Sequence, residues 1–297
     1  MSLGKKVFEG RAPAKINLML AITGTRTDGF HNLVSLVAPV PALHDILTMT
    51  LRPEADEDSL SCEMPDVPCD ASNLVLRAAA AFRARVPAFP HAHFNLQKNI
   101  PHGAGLGGGS SDAATAILLM AEAAGNATPD RETLREIAAE IGSDCPLFLA
   151  GTPVVMRGRG ELTEKLSPEE NAAIAAKKFL IFKPAFGVST AEAYGAMKRE
   201  APRYYTDEKT AEEKLSAWRN APAETPLPLF NDMEAPVFKK HLALPALFKI
   251  LRERFALDPH MSGSGSACFA EISPKTELPA VIALIRECWG ETAVIHV

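Results

Sequence analysis

Apolar and polar positions along the 297-residue chain change period several times. Residues 14–23 (AKINLMLAIT) alternate loosely between Pro13 and Gly24, which predicts a strand. Arg26-Thr27-Asp28-Gly29 is a turn signal with Asp-Gly at its centre. Residues 34–40, 45–51 and 92–99 predict further strands, and residues 53–70, acidic and proline-bearing, predict a surface excursion. Residues 74–82 are alanine-rich and predict a helix. Residues 113–124 are apolar nearly all round, the pattern of a buried helix. Thr128 as N-cap and Pro129 at the first position predict another, with Leu134, Ile137, Ala138 and Ile141 as its buried stripe and Gly142 as its end.

Residues 147–149 and 154–157 predict short extended runs. The composition then shifts at Gly158-Arg159-Gly160 and through the polar stretch 167–171. This places a domain boundary near 157–166, giving an N-terminal domain 1–160 and a C-terminal domain 161–297. Beyond it, 179–182 and 267–272 predict strands, and 190–197 and 277–288 predict helices. Residues 203–228 are polar and proline-bearing and predict irregular or peripheral chain. Strands and helices mix without strict alternation, which favours an α+β fold over a doubly wound sheet.

Composition narrows the function classes. Apolar residues make up 47% and charged residues 23%, the mix of a chain able to bury a sizeable core. The net charge is -5 and no basic block interrupts it, so nucleic acid is not the expected partner. No apolar stretch is long enough to span a bilayer, so no membrane partner is expected. The five cysteines form no C-x-x-C pair and no histidine cluster accompanies them, so no metal site is expected from them. Their odd count, and a start (residues 1–11) with two lysines and no apolar run, fit the reducing cytoplasm.

Candidate chemistry concentrates in one segment: Pro101-His102-Gly103-Ala104-Gly105-Leu106-Gly107-Gly108-Gly109-Ser110-Ser111. Five glycines within seven residues imply positive φ angles or the close approach of another group. A helix is expected to begin at residues 110–112, with one serine as its N-cap. Its unpaired N–H groups and partial positive charge would complete a phosphate cradle. A flexible linker is the alternative, but a linker does not sit tightly between a strand and a buried helix. Gly103-x-Gly105-x-x-Gly108 formally matches the dinucleotide fingerprint, yet a helix rather than a parallel strand follows. The P-loop and protein-kinase signatures are absent.

The glycine segment resembles the ATP-binding motif of the small-metabolite kinases named for galactokinase, homoserine kinase, mevalonate kinase and phosphomevalonate kinase. Pro13-Ala14-Lys15-Ile16-Asn17-Leu18 is similar to that family's first motif, and Ser262-Gly263-Ser264-Gly265-Ser266-Ala267-Cys268-Phe269 to its third. The three occur in the family's order and span nearly the whole chain. Arg26-x-Asp28-Gly29-Phe30-His31, Gly142-Ser143-Asp144-Cys145-Pro146 and Asn231-Asp232-Met233-Glu234 narrow the resemblance. They point to the branch that phosphorylates a cytidine-diphosphate methylerythritol for the non-mevalonate isoprenoid route. Phe30 stands where that branch usually has tyrosine.

The resemblance implies two α+β domains, an N-terminal one with a left-handed βαβ unit and a ferredoxin-like C-terminal one, meeting at a cleft. It implies ATP and Mg2+ as cofactors, with residues 101–111 holding the nucleotide and a small-molecule alcohol as acceptor. Lys15 and Asp144 are then the catalytic pair. Taken alone, Asp144 reads as a turn aspartate before proline and Lys15 as an edge-strand lysine with its head in water. Asn17, two residues along the strand, shares the face of Lys15 and is a candidate for the acceptor polyol. Phe30, His31 and Tyr194 are the candidate cytidine site, with Phe186 an alternative to Tyr194. Asp112 reads as a complement to the helix dipole, and His44, His102 and His260 as structural. Two other functions remain open: a kinase of another small alcohol such as homoserine or mevalonate, and a catalytically silent nucleotide-binding regulator.

Overall fold

The computed structural model describes residues 6–297; residues 1–5, the start of the stretch read above as free of apolar runs, lie outside it. In its first half the chain runs β1 (Val7–Thr25), β2 (His31–Leu51), β3 (Ser59–Cys62), α1 (Leu74–Arg85), β4 (Ala92–Gln97), α2 (Gly108–Ala124), α3 (Arg131–Ile141) and α4 (Cys145–Ala150). It continues through β5 (Val154–Arg157), β6 (Leu162–Lys165), α5 (Pro168–Ala175), β7 (Lys178–Lys183), α6 (Thr190–Arg199) and α7 (Glu208–Arg219). The last elements are β8 (Phe230–Asn231), α8 (Glu234–Lys240), α9 (Ala243–Phe255), β9 (Pro259–Met261), β10 (Cys268–Ile272), α10 (Leu278–Trp289) and β11 (Val294–His296).

Two compact units interleave along this order. The first takes the chain up to Ala14, Pro39–Ile100 and Gly107–Gly151; the second takes Lys15–Ala38, Pro101–Leu106 and Thr152–Val297. The long strands β1 and β2 each begin in one unit and end in the other.

In the first unit the C-terminal part of β2 pairs antiparallel with β4, from Ile46 opposite Gln97 to Leu51 opposite Ala92. β3 pairs parallel with β4 and α1 connects them, a β–α–β unit. Leu47, Met49, Phe94 and Leu96 from these strands bury against Phe82 of α1, Ile117 and Met120 of α2 and Ile137 of α3. Each such side chain removed from water contributes about 1.5–3 kcal/mol. Helix starts are set locally: Asn73 accepts from the Val75 N–H at α1, and Asp130 from the Thr133 N–H at α3.

In the second unit β1 pairs parallel with β8 at Met19 and Leu20, and the N-terminal part of β2 pairs antiparallel with β5, which pairs in turn with β6. A separate four-stranded sheet has the order β11-β7-β10-β9, antiparallel throughout. Phe182 of β7, fully buried, meets Phe248 of α9 and Trp289 of α10 at ring distances of 6.5 and 5.6 Å.

Several elements differ from those the sequence predicts, and residues 53–70 contain the strand β3. Residues 34–40 and 45–51 are parts of one strand, β2, which passes from the second unit to the first between Ala38 and Pro39. Residues 147–149 are helical, in α4. A Pro at the first turn and Gly151 in the left-handed conformation bound a six-residue helix too short to show a period. The third helix is capped by Asp130, not Thr128, whose hydroxyl instead donates to the Ala121 carbonyl. Residues 203–228 contain α7, capped by Asp207 and buried along Ala211, Leu215 and Trp218. The helix after the glycine segment begins at Gly108, with Gly107 (φ 71°) as its N-cap and no capping side chain, so neither Ser110 nor Ser111 caps it.

Candidate active site

Three segments far apart in sequence meet in the second unit. Lys15 and Asn17 sit on β1, are 5% and 7% exposed, and share a face as period-two geometry requires. The Lys15 ammonium donates to Asn17 Oδ1 at 2.6 Å. Asn17 Nδ2 donates to Ser35 Oγ (2.9 Å), which donates to the Met19 carbonyl (2.6 Å). Lys15 is therefore a buried cation held in place and not the solvated edge lysine of the alternative reading. The Lys15 backbone N–H donates to the Leu106 carbonyl (2.9 Å), joining β1 to the glycine segment. Ser262 Oγ donates to the Gly105 carbonyl (3.0 Å) and accepts from the Asn17 N–H (3.3 Å).

The glycines make this approach possible. A Cβ on Gly105 (φ +75°) would lie 2.2 Å from the Ser262 carbonyl oxygen, a backbone atom that cannot swing aside. A Cβ on Gly263 (φ +56°) would lie 3.3 Å from Lys15 Nζ and from Asn17 Oδ1. Gly103 and Gly107 also have positive φ, whereas Gly108 and Gly109 are helical. Of the remaining loop residues, Ala104 and Leu106 are buried, Pro101 is half-buried and His102 is exposed.

In the first unit α2 opens with its Gly108, Gly109 and Ser110 N–H groups lacking intrahelical partners, the first helical bond being from Ser111 N to the Gly107 carbonyl. Ser111 Oγ is buried without a hydrogen-bond partner. Next to it, Asp112 is a member of a buried ion group and not a surface complement to the dipole. Lys98 Nζ bonds Asp112 Oδ2 (2.8 Å) and Asp45 Oδ2, while Asp45 Oδ1 accepts from the Asn99 and Ile100 N–H groups. Burial pushes the Asp112 carboxyl up to about 7, with Asp45 adding to the rise and Lys98 opposing it. No sequence signal marks this group, because Asp45 and Lys98 stand 53 residues apart.

Asp144 is half-buried at the N-cap of α4, with φ −86° and ψ −12°. The neighbouring Cys145 is buried and its thiol is pushed up to about 12 by desolvation, so it stays protonated. Asp144 belongs to the first unit and Lys15 to the second.

The candidate base-binding residues lie in the second unit, Phe30 and His31 at the tip joining β1 to β2 and Tyr194 on α6. Arg26 N donates to the Phe30 carbonyl (2.7 Å), and Phe30 N to Asp28 Oδ1 (3.1 Å), closing the turn. Phe30 is 52% exposed, with the Arg159 guanidinium 5.3 Å from its ring centroid. His31 is buried, and its Nε2 has no hydrogen-bond partner. Desolvation, with the positive charge of Lys198 adding to it, lowers its pKa below 6.5. Tyr194 of α6 lies 5.0 Å from the His31 ring, whereas Phe186 stacks on His241 at 5.1 Å and 13°. Tyr205, which no motif includes, also reaches this region, its ring 5.9 Å from that of His31.

With this geometry in view, the comparisons with known proteins decide the family. Residues 73–152 match the GHMP kinases N terminal domain. Over 95% of its length the chain is 34% identical to 97% of the 4-diphosphocytidyl-2-C-methyl-D-erythritol kinase of Porphyromonas gingivalis. It is 39% identical, over 88% of its length, to 85% of the like-named enzyme of Methylacidiphilum infernorum. The chain belongs to the 4-diphosphocytidyl-2-C-methyl-D-erythritol kinase family. A crystal structure of 4-(cytidine 5'-diphospho)-2C-methyl-D-erythritol kinase superposes with a TM-score of 0.74 at 31% identity, covering 97% of this chain and 98% of that one. A homoserine kinase structure from Cytophaga hutchinsonii gives 0.71 at 15% identity, a likeness of fold alone, covering 100% of this chain and 95% of that one. The fold is that of the GHMP kinases, α+β in its N-terminal and C-terminal domains, as the motifs led us to expect.

Proposed function

We propose that this chain transfers the γ-phosphoryl group of ATP to the 2-hydroxyl of 4-diphosphocytidyl-2-C-methyl-D-erythritol, in the non-mevalonate route to isoprenoid precursors. The observation that carries this reading is the meeting of the three motif segments at Lys15, Gly105 and Ser262. It occurs in a chain 34% identical, over 95% of its length, to a kinase named for that substrate.

Residues 101–111 hold the nucleotide. The uncapped start of α2 offers backbone N–H groups and a partial positive charge to phosphate oxygens. The orphaned hydroxyl of Ser111 fits a phosphate oxygen or a hydrated Mg2+. ATP brings the phosphoryl group, and Mg2+ neutralises charge on the phosphate oxygens. Lys15 adds a buried positive charge toward the developing negative charge of the transfer. Asp144 accepts the proton of the 2-hydroxyl as that oxygen bonds to the γ-phosphorus and ADP leaves. Asn17 orients the polyol. Phe30 and Tyr194 stack on the cytosine, and a neutral His31 accepts from its amino group. Both partners are small molecules, and among the described residues no helix is long and apolar enough to cross a membrane. The cysteines, all unbridged, support a cytoplasmic location.

An acceptor panel tests this. ATP consumption is followed with the cytidine-diphosphate methylerythritol, methylerythritol phosphate, homoserine and mevalonate. Turnover with the first alone is expected. Equal turnover with an acceptor lacking cytidine would return the homoserine- or mevalonate-type reading, and no turnover with any would favour a silent nucleotide binder.

A further inference from the structure

The tip that carries Phe30 and His31 is fastened by a short stretch between α6 and α7 that belongs to none of the motifs. Thr206 is stitched to β1: its N–H donates to the Ile22 carbonyl (3.1 Å) and to Asp232 Oδ2 (3.2 Å), and its hydroxyl donates to Asp232 Oδ1 (2.9 Å). The same Asp232 accepts from the Ile22 N–H at 2.8 Å. This places Tyr205 beside the end of β1, where its hydroxyl shares a 2.7 Å hydrogen bond with Thr25 Oγ1. The Tyr205 ring meets His31 edge-on, at 5.9 Å and 82°. Tyr194 meets the same imidazole at 5.0 Å and 34°. His31 is thus bounded by two tyrosines, one from α6 and one from this stretch.

An imidazole packed in this way cannot rotate freely, and its buried Nε2 is left without a partner. An unmet buried polar atom is costly unless a ligand atom meets it. With the proton on Nδ1, Nε2 accepts a hydrogen bond. Cytosine presents an amino donor where uracil presents a carbonyl acceptor, so a fixed Nε2 acceptor discriminates between them.

We propose that Tyr205 is a specificity-determining positioning residue. Its ring contact and its bond to Thr25 hold the His31 imidazole so that Nε2 meets the amino group of cytosine and opposes the carbonyl of uracil. This rests on the cytidine reading of Phe30, His31 and Tyr194.

The test measures inhibition constants for CDP and UDP against the cytidine substrate, with KM for ATP and kcat, in Tyr205→Ala, Tyr205→Phe, Thr25→Val and Phe30→Ala. Wild type is expected to prefer CDP. Tyr205→Ala should weaken CDP about 10-fold with UDP little changed, the size of one lost aromatic contact plus one hydrogen bond. The UDP-to-CDP ratio then collapses while KM for ATP holds. Tyr205→Phe and Thr25→Val should each cost about 3-fold, and together no more than either alone, because they remove the same bond. A merely structural role would lower the active fraction, and with it kcat, without moving the ratio. An unchanged ratio in Tyr205→Ala, with CDP weakened in Phe30→Ala, overturns the role of Tyr205 and leaves the base site standing. Unchanged CDP affinity in Phe30→Ala overturns the base site itself, and Tyr205 with it.

Discussion

At the scale of single residues, environment separates groups that look alike in sequence. Asp144 and Asp112 are both aspartates near helix starts, but Asp112 is buried against Lys98 whereas Asp144 is half-buried at an N-cap. The reading of Asp144 as general base therefore predicts that Asp144→Asn keeps affinity for both ligands and loses turnover, by about 100-fold to 10,000-fold. Single-turnover rates together with equilibrium binding check this; near-normal rates would remove Asp144 from the chemistry. His31 yields a pH prediction. Desolvation and Lys198 lower its folded-state pKa below 6.5, so the unfolded chain takes up a proton that the folded chain refuses. Its neutral ring is fully compatible with folding above pH 6.5, and stability falls as pH drops below it. A protonated His31 also cannot accept from the cytosine amino group. KM for the cytidine substrate should stay flat from pH 8 to pH 6.5 and rise only below, while KM for ATP does not follow. A rise that begins above pH 7, or one shared by ATP, would count against this role.

At the scale of elements, legibility depended on whether a signal is local. The glycine segment could be read because positive φ and close approach both demand glycine, and such a cluster has few bland explanations. What could not be read was the division of labour among its glycines. Gly105 has no room for a side chain, whereas a Cβ on Gly109 would meet only Leu74 Cδ1 at 3.6 Å, an ordinary contact. Gly109 is moreover exposed and in helical conformation. Gly109→Ala should leave the thermal midpoint near wild type yet raise KM for ATP several-fold, because its methyl group enters the space of the phosphate. Gly105→Ala should instead lower the midpoint itself. An unaltered KM for ATP in Gly109→Ala would show that the phosphate lies elsewhere. The helix α7 escaped the sequence reading for the opposite reason. Its buried stripe, Ala211, Leu215 and Trp218, is three residues in twelve, too thin to outweigh the polar average around it. Trp218 is fully buried all the same. Trp218→Ala should cost about 3–5 kcal/mol of unfolding free energy in urea. A loss under 1 kcal/mol would mean that the helix adds little to the fold.

At the scale of the molecule, the three motifs gave the family and the α+β class, but not the way the chain is partitioned. A boundary read from composition assumes that a compact unit is one continuous stretch. Here β1 and β2 each contribute to both units, and the glycine segment passes from one to the other between Leu106 and Gly107. The residues proposed for cytosine all lie in the second unit, whereas the α2 start proposed for phosphate lies in the first. A ligand that binds only the folded state stabilises it by about 2.7 kcal/mol at a hundred times its dissociation constant. Both a non-hydrolysable ATP analogue and CDP should therefore raise the thermal midpoint by several degrees. The two shifts should be separable by substitution: Phe30→Ala reduces the CDP shift and keeps the ATP-analogue shift, and Gly109→Ala reduces the ATP-analogue shift and keeps the CDP shift. Differential scanning calorimetry on the wild type and the two variants measures all of these shifts. Loss of both shifts in either variant would mean that cytidine and nucleotide binding depend on one common set of residues, and the assignment of separate sites would have to be withdrawn.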